Sequence, residues 1–192
     1  FSLSLENELE QTKNKSQYVT TKDFGNSKRY ILGNITNDSW FTTLRLNYSL
    51  NPNFSVQFYG QPFISRGRYS NFNFVNNSVA NSFNERVNVY DENQISFGLD
   101  ADGNEAFLVD ENRDNSIDYS FDKPDFSFVQ FQTNLVVRWE YIPGSELFFV
   151  WARGSNGSQN IDDSLSQSIS TQVLDVPAND TFLIKATYRF VR

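Results

Sequence analysis

Between Asp110 and Asp118 the chain reads Asp-Glu-Asn-Arg-Asp-Asn-Ser-Ile-Asp. Asp110, Asn112, Asp114 and Asp118 set side-chain oxygens at alternating positions, the spacing with which a calcium loop surrounds a hard cation. Ile117 fits the apolar eighth position of such a loop. Asn115, however, stands where its sharp turn takes Gly, and Phe121 where its bidentate Glu belongs. A shorter oxygen-rich segment, Asp100-Ala-Asp-Gly-Asn-Glu105, precedes it. Seven carboxylates between 100 and 118 face Arg113 alone, and so dense a charge repels itself. Two readings follow: a weak Ca2+ site, the one candidate cofactor, or a solvated acidic loop.

Other site chemistry is thinly supplied. The chain has no His and no Cys, which removes Ser-His triads, thiolate metal sites and disulfides. Glycoside hydrolysis needs two carboxylates at a set separation, and here no pair stands out. The chain is therefore expected not to be an enzyme. Its net charge of −7 and lack of a basic stripe weigh against nucleic acid as a partner. Aromatic residues in the 71–124 stretch (Phe72, Phe74, Phe83, Tyr90) could either stack on sugar rings or tie that stretch down.

The elements that must position these residues read as strands. Aromatics make up 16% of 192 residues, which disfavours disorder and suits strands in a single domain over 1–192. Successive side chains of a strand point to opposite faces. In 40–50, Leu44, Leu46 and Tyr48 share one parity with Trp40, while Arg45 lies on the other. In 128–140, Phe131, Leu135, Val137 and Trp139 share one parity, and Arg138 and Glu140 the other. In 181–190, Phe182, Ile184, Tyr188 and Phe190 oppose Lys185 and Arg189.

Eight strands are expected, at 1–12, 16–23, 29–36, 40–50, 54–70, 125–140, 145–154 and 180–191. Short turns fall at 51–53 and 142–145, and long polar loops at 71–124 and 154–179. Apolar-out, polar-in strands with aromatic ends, short turns on one side and long loops on the other characterise an antiparallel transmembrane β-barrel. On that reading the apolar parity faces lipid and the charges Arg45, Arg138, Glu140, Lys185 and Arg189 face a lumen. The alternative is a secreted soluble β-sandwich that binds glycans.

Several segments carry a family resemblance. Leu44-Arg-Leu-Asn-Tyr-Ser-Leu-Asn-Pro-Asn-Phe-Ser-Val-Gln-Phe-Tyr-Gly-Gln-Pro-Phe63, Lys123-Pro-Asp-Phe-Ser-Phe128 and Arg138-Trp-Glu-Tyr-Ile-Pro-Gly-Ser-Glu-Leu-Phe-Phe-Val-Trp151 are three of them, and Val176-Pro-Ala-Asn-Asp-Thr-Phe-Leu-Ile-Lys-Ala-Thr-Tyr188 is the fourth. Together they resemble the C-terminal end of large bacterial outer-membrane proteins. Those proteins carry an N-terminal carbohydrate-binding domain of the family 9 type and a long β-rich domain of unassigned function. The resemblance implies a terminal portion of a larger barrel, in the bacterial outer membrane, with a periplasmic C-terminus and extracellular long loops. It further implies a surface anchor or scaffold linked to carbohydrate binding or uptake, with outer-membrane lipid, polysaccharide and other outer-membrane proteins as candidate partners. It supplies no catalytic residues.

Overall fold

Alternation of side chains predicts pairing, and the strands pair for longer than their patterning suggests. The computed structural model describes residues 1–171 and 177–190. The chain is all-β with antiparallel sheets. Three long strands open it: β1 (Ser2–Phe24), β2 (Ser27–Asn51) and β3 (Phe54–Val75). A short helix, α1 (Phe83–Arg86), leads to β4 (Val87–Val89), β5 (Ile95–Leu99), β6 (Glu105–Val109) and β7 (Tyr119–Asp122). Then come β8 (Phe126–Ile142), β9 (Ser145–Ser158), α2 (Leu165–Ser170) and β10 (Asn179–Ala186).

The larger sheet follows the order β1-β2-β3-β8-β9-β10, with β4 added beside β3; a second sheet is β5-β6-β7. Among the described residues the larger sheet is an open path, not a closed barrel.

Three expectations change. The strands expected at 1–12 and 16–23 are one strand, as are those at 29–36 and 40–50. The intervening residues are polar but lack Gly and Pro, and polar residues alone do not turn a chain whose backbone is paired on a neighbour. The turn falls instead at Gly25, at φ 57°.

Second, 71–124 is not a loop: it holds the end of β3, α1 and four strands. Its strands are three to five residues long, too short to show a period between Asn and Asp turns. Third, β10 stops at Ala186, short of Tyr188 and Phe190. Thr187 and Glu146 still exchange backbone hydrogen bonds of 2.8 and 3.1 Å, but β9 begins at Ser145, so the partner strand has run out. Residues 172–176 of the expected 154–179 loop, and Val191 at the expected strand end, lie outside the described residues.

The chain divides into two compact units, one of Phe1–Glu10, Asp38–Arg66 and Phe126–Arg192, the other of Gln11–Asn37 and Gly67–Asp125. The second unit has the conventional core: Ile31, Phe72, Phe74, Tyr90, Val109, Tyr119 and Phe121 pack together. Phe72 lies against Phe107 and Phe121, with ring centroids 4.5 and 5.2 Å apart. Phe72, Phe74 and Tyr90 are thus core residues and offer no open platform to a sugar.

In the first unit the order comes from cross-strand register. Leu135, Trp151 and Phe182 lie abreast on β8, β9 and β10; so do Val137, Phe149 and Ile184, then Trp139, Leu147 and Ala186.

Ile31 is fully buried. Truncation of such a side chain costs its transfer energy plus the cavity left behind, about 2–4 kcal/mol. Ile31→Ala should lower the denaturant midpoint by that amount, read from the near-ultraviolet signal of the surrounding aromatics. An unchanged midpoint would show that this core does not hold the fold.

Candidate functional site

The first unit presents two chemically different sheet faces. On one, the three registered rows are apolar: Trp139 (50%), Phe182 (65%) and Ile184 (71%) are exposed, while Leu135, Val137, Leu147, Phe149 and Trp151 are half-buried. Ring contacts of 6.2 Å (Phe149–Phe182) and 6.5 Å (Trp151–Phe182) tie the strands together across it. The next row is Thr133, Arg153 and Asp180, where the face turns polar. There Trp151 Nε1 donates to Asp180 at 2.7 Å, and Arg153 lies 3.9 Å from the same carboxylate. An indole with its ring in an apolar band and its N–H in a polar row is what an apolar–aqueous boundary selects.

Leu44, Leu46 and Tyr48 lie on β2 with Trp40, whose Nε1 donates to Asn7 at 2.7 Å. Phe131 sits one step beyond the Thr133 row, opposite Ser155, outside the apolar rows. Tyr188 and Phe190 are exposed past the end of β10, their rings 4.8 Å apart.

The opposite face gathers the charges. Arg45 lies 3.2 Å from Glu6 and over the Tyr59 ring, and it lines a hollow with Asn47, Gln57 and Asn134. Arg138 Nε donates to Glu146 at 2.8 Å, and Arg138 also lies 3.5 Å from Glu140. Lys185 stands over the Phe148 ring. Arg189 is set apart from these: its backbone N–H donates to Ser145 Oγ at 3.0 Å, beside the Gly144 turn. Gly144 has φ 80°, and a Cβ there would come within 2.5 Å of Arg189 Cδ, so both conformation and space demand glycine.

In the second unit the structure assembles a charged cluster with no sequence signature. Arg29 Nε lies 2.9 Å from both Glu111 oxygens, and the guanidinium sits 5.0 and 4.9 Å from the Phe24 and Phe74 ring centres. Tyr119 donates to Glu111 at 2.7 Å and shares a 2.8 Å hydroxyl contact with Tyr90. Burial pushes the Tyr90 hydroxyl up to about 12. Tyr119 is raised further, by burial first and then by its bonds to Tyr90 and Glu111, because ionisation would put a second anion beside the carboxylate. Arg29 and Glu111 are 82 residues apart, and Arg29 stands in a poorly patterned stretch, so neither periodicity nor motif could pair them.

The acidic segment folds on itself. Asp110 accepts from the backbone N–H of Asp114 and Asn115 at 3.1 and 2.8 Å; Asn112 accepts from Asp114 at 2.9 Å; Asp118 accepts from Glu111 at 2.8 Å. Asp114 accepts from Ser116 at 2.8 Å. Arg113 pairs with Asp91 and so with none of the four candidate ligands. Arg113 and Asn115 take left-handed backbone conformations, φ 63° and 67°. Among the described residues no three acidic side chains converge as a metal cluster. The carboxylates accept from turn amides with part of their lone-pair capacity.

Fold and faces together define an all-β protein of antiparallel sheets, whose first unit has apolar rows on one sheet face and, on the other, charges beside the row Val136, Val150 and Leu183. The chain belongs to the family described as "Domain of unknown function (DUF5916)", which it matches over residues 1–191. No curated protein and no solved structure matches it.

Two measurements probe the Arg29 cluster. Glu111→Gln leaves the half-buried Arg29 guanidinium without its counter-charge and should cost about 2–3 kcal/mol, whereas Tyr119→Phe should cost about 1 kcal/mol. Similar small losses from both, read by denaturant unfolding, would count against a structural ion pair. The raised tyrosine pKa values fix a sign for pH. The folded state holds these protons where the unfolded chain, near pH 10, releases them. Their contribution is complete below pH 10 and is lost as pH climbs through 10 toward 12. A tyrosinate absorbance titration of the parent against Tyr90→Phe should show the Tyr90 hydroxyl ionising above pH 10, toward about 12.

Proposed function

We propose that this chain is part of an outer-membrane β-barrel of a bacterium and serves as a surface anchor or scaffold. The observation that carries the reading is the registered apolar patch of Leu135/Trp151/Phe182, Val137/Phe149/Ile184 and Trp139/Leu147/Ala186, of which Trp139, Phe182 and Ile184 are exposed, with Arg138, Glu140 and Lys185 on the other face. A soluble sheet buries such a patch, and contiguous exposed apolar surface marks a binding or membrane surface. Lipid takes the apolar face, and Arg45, Arg138, Glu140 and Lys185 line the interior.

Strand length supports the same reading. A tilted strand crosses hydrocarbon in roughly 9–11 residues. The first unit's share of β1, Ser2–Glu10, matches that length. The path of six long strands is shorter than the roughly eight of the smallest outer-membrane barrels, so on this reading further strands complete the ring. With β10 ending at the periplasmic side, the turns after β2 and β8 are periplasmic and the connections after β3 and β9 extracellular.

Full-length chain folded in detergent should show heat-modifiable gel mobility. Its tryptophan emission should be quenched by bromine-labelled lipid, since Trp139 and Trp151 lie in the patch. Ile184→Lys should cost about 2–4 kcal/mol in bilayers. A chain that stays soluble without detergent, escapes lipid-borne quenching and tolerates Ile184→Lys would sink the membrane reading.

A further inference from the structure

A strand offers backbone groups on two sides, and β4 uses only one. It pairs with β3, and among the described residues no strand lies on its other side. The bonds to β3 fix which groups turn outward. The Asn76 N–H donates to the Arg86 carbonyl at 2.8 Å, and the Tyr90 N–H to the Phe72 carbonyl at 3.0 Å. Asn73 stands opposite Val89, Phe74 opposite Asn88 and Val75 opposite Val87. In an antiparallel ladder the bonded pairs alternate, so 72/90, 74/88 and 76/86 are bonded and the pairs between them are not. Val87 and Val89 fall between, and their N–H and C=O groups point away from β3.

Such an edge is a template for another strand, and charged residues or proline commonly close it. β4 has neither: it reads Val-Asn-Val, with Val89 57% exposed. Against it lies a hollow of about 550 Å³, lined by Val87, Asn88 and Val89 together with Asn84, Gln94 and Glu111. Ligand sites span roughly 300–1,000 Å³, and side-chain amides both donate to and accept from a peptide backbone.

Charge narrows the occupant. Between 67 and 125 the chain carries twelve acids and four cations. Glu85 and Glu92, which flank β4 in the chain, are both exposed. An acidic partner meets repulsion there and a basic one attraction. A second copy of this chain would set the same acidic segment against itself. A basic peptide avoids that repulsion and, when extended, supplies outward N–H and C=O groups at every second residue.

We propose that β4 accepts an extended, lysine-bearing peptide as an added antiparallel strand, bonded to the Val87 and Val89 backbone and seated against the hollow. The site lies wholly within the second unit, so it does not depend on the membrane reading.

Full-length protein would be titrated into fluorescein-labelled Lys-Thr-Val-Thr-Val-Thr-Lys, with anisotropy as the readout. Binding is expected, with at least a tenfold loss when glutamates replace both lysines. A strand turns alternate N–H groups toward one neighbour, so N-methylating one alternate set of peptide amides should cost at least tenfold and the other set far less. Val89→Pro removes an outward donor at an edge, where proline is tolerated, and should also cost at least tenfold. Val89→Lys, which sets a cation on the same exposed edge, serves if the proline variant unfolds. Leu99→Lys makes the same charge change at an exposed residue of β5 and should bind as the parent does. Absence of binding, equal affinity for the glutamate peptide, equal losses from both methylated sets, or parent-like affinity in folded Val89→Pro and in Val89→Lys overturns the proposal. Self-association that Val89→Lys abolishes, without peptide binding, would overturn it in favour of a second copy of the chain.

Discussion

Cross-strand register between β8, β9 and β10 is the constraint on which the first unit rests. Side chains alternate with a period of two, so a slip of one residue would carry Leu135, Val137 and Trp139 of β8, or Phe182 and Ile184 of β10, to the face that bears Arg138 and Lys185. Several local features hold the register in place. Gly144 closes the β8–β9 turn at φ 80°, and its N–H donates to Glu140 at 2.8 Å. A register shift between Glu140 and Ile142 absorbs one residue beside that turn. Arg138 then meets Glu146 across the pair. Charge, turn and bulge select one alignment, and that alignment makes the apolar rows continuous.

The second unit solves a different problem. Its strands are short, and it carries most of the chain's acids, so it cannot rely on a wide apolar layer alone. Arg29, held between two phenyl rings and gripping Glu111, draws the acidic segment onto the aromatic core. The pair is half-buried, and part of its value lies in what its absence would leave: a partly desolvated charge without a partner. The Tyr119 and Tyr90 hydroxyls complete the network by occupying the remaining acceptors. In the rest of the acidic stretch the carboxylates accept hydrogen bonds from nearby backbone amides, which stabilise the charged form without cancelling its charge.

Much of the first unit was legible because its residues obey a local rule. The parities of 44–48, 135–139 and 182–184 could be read directly, and Asn51-Pro52-Asn53 and Pro143-Gly144 announce turns by their backbone preferences. The second unit was not legible. Residues such as Ile31, Phe72 and Val109 become a core only when distant segments meet, and no window of sequence contains them together. The alternating oxygens of 110–118 were visible, but what they bind locally, turn amides, depends on left-handed conformations at Arg113 and Asn115 that residue types alone do not specify.

The sequence by itself determined the all-β class, the two-faced strands and the positions of several turns, because pleat period and turn preference act over a few residues. Tertiary structure decided which strands lie abreast, where they end, that 71–124 folds, and that Arg29 finds Glu111. These outcomes depend on pairings across tens of residues, where the competing free energies of burial, desolvation and hydrogen bonding are set by neighbours the local sequence does not contain.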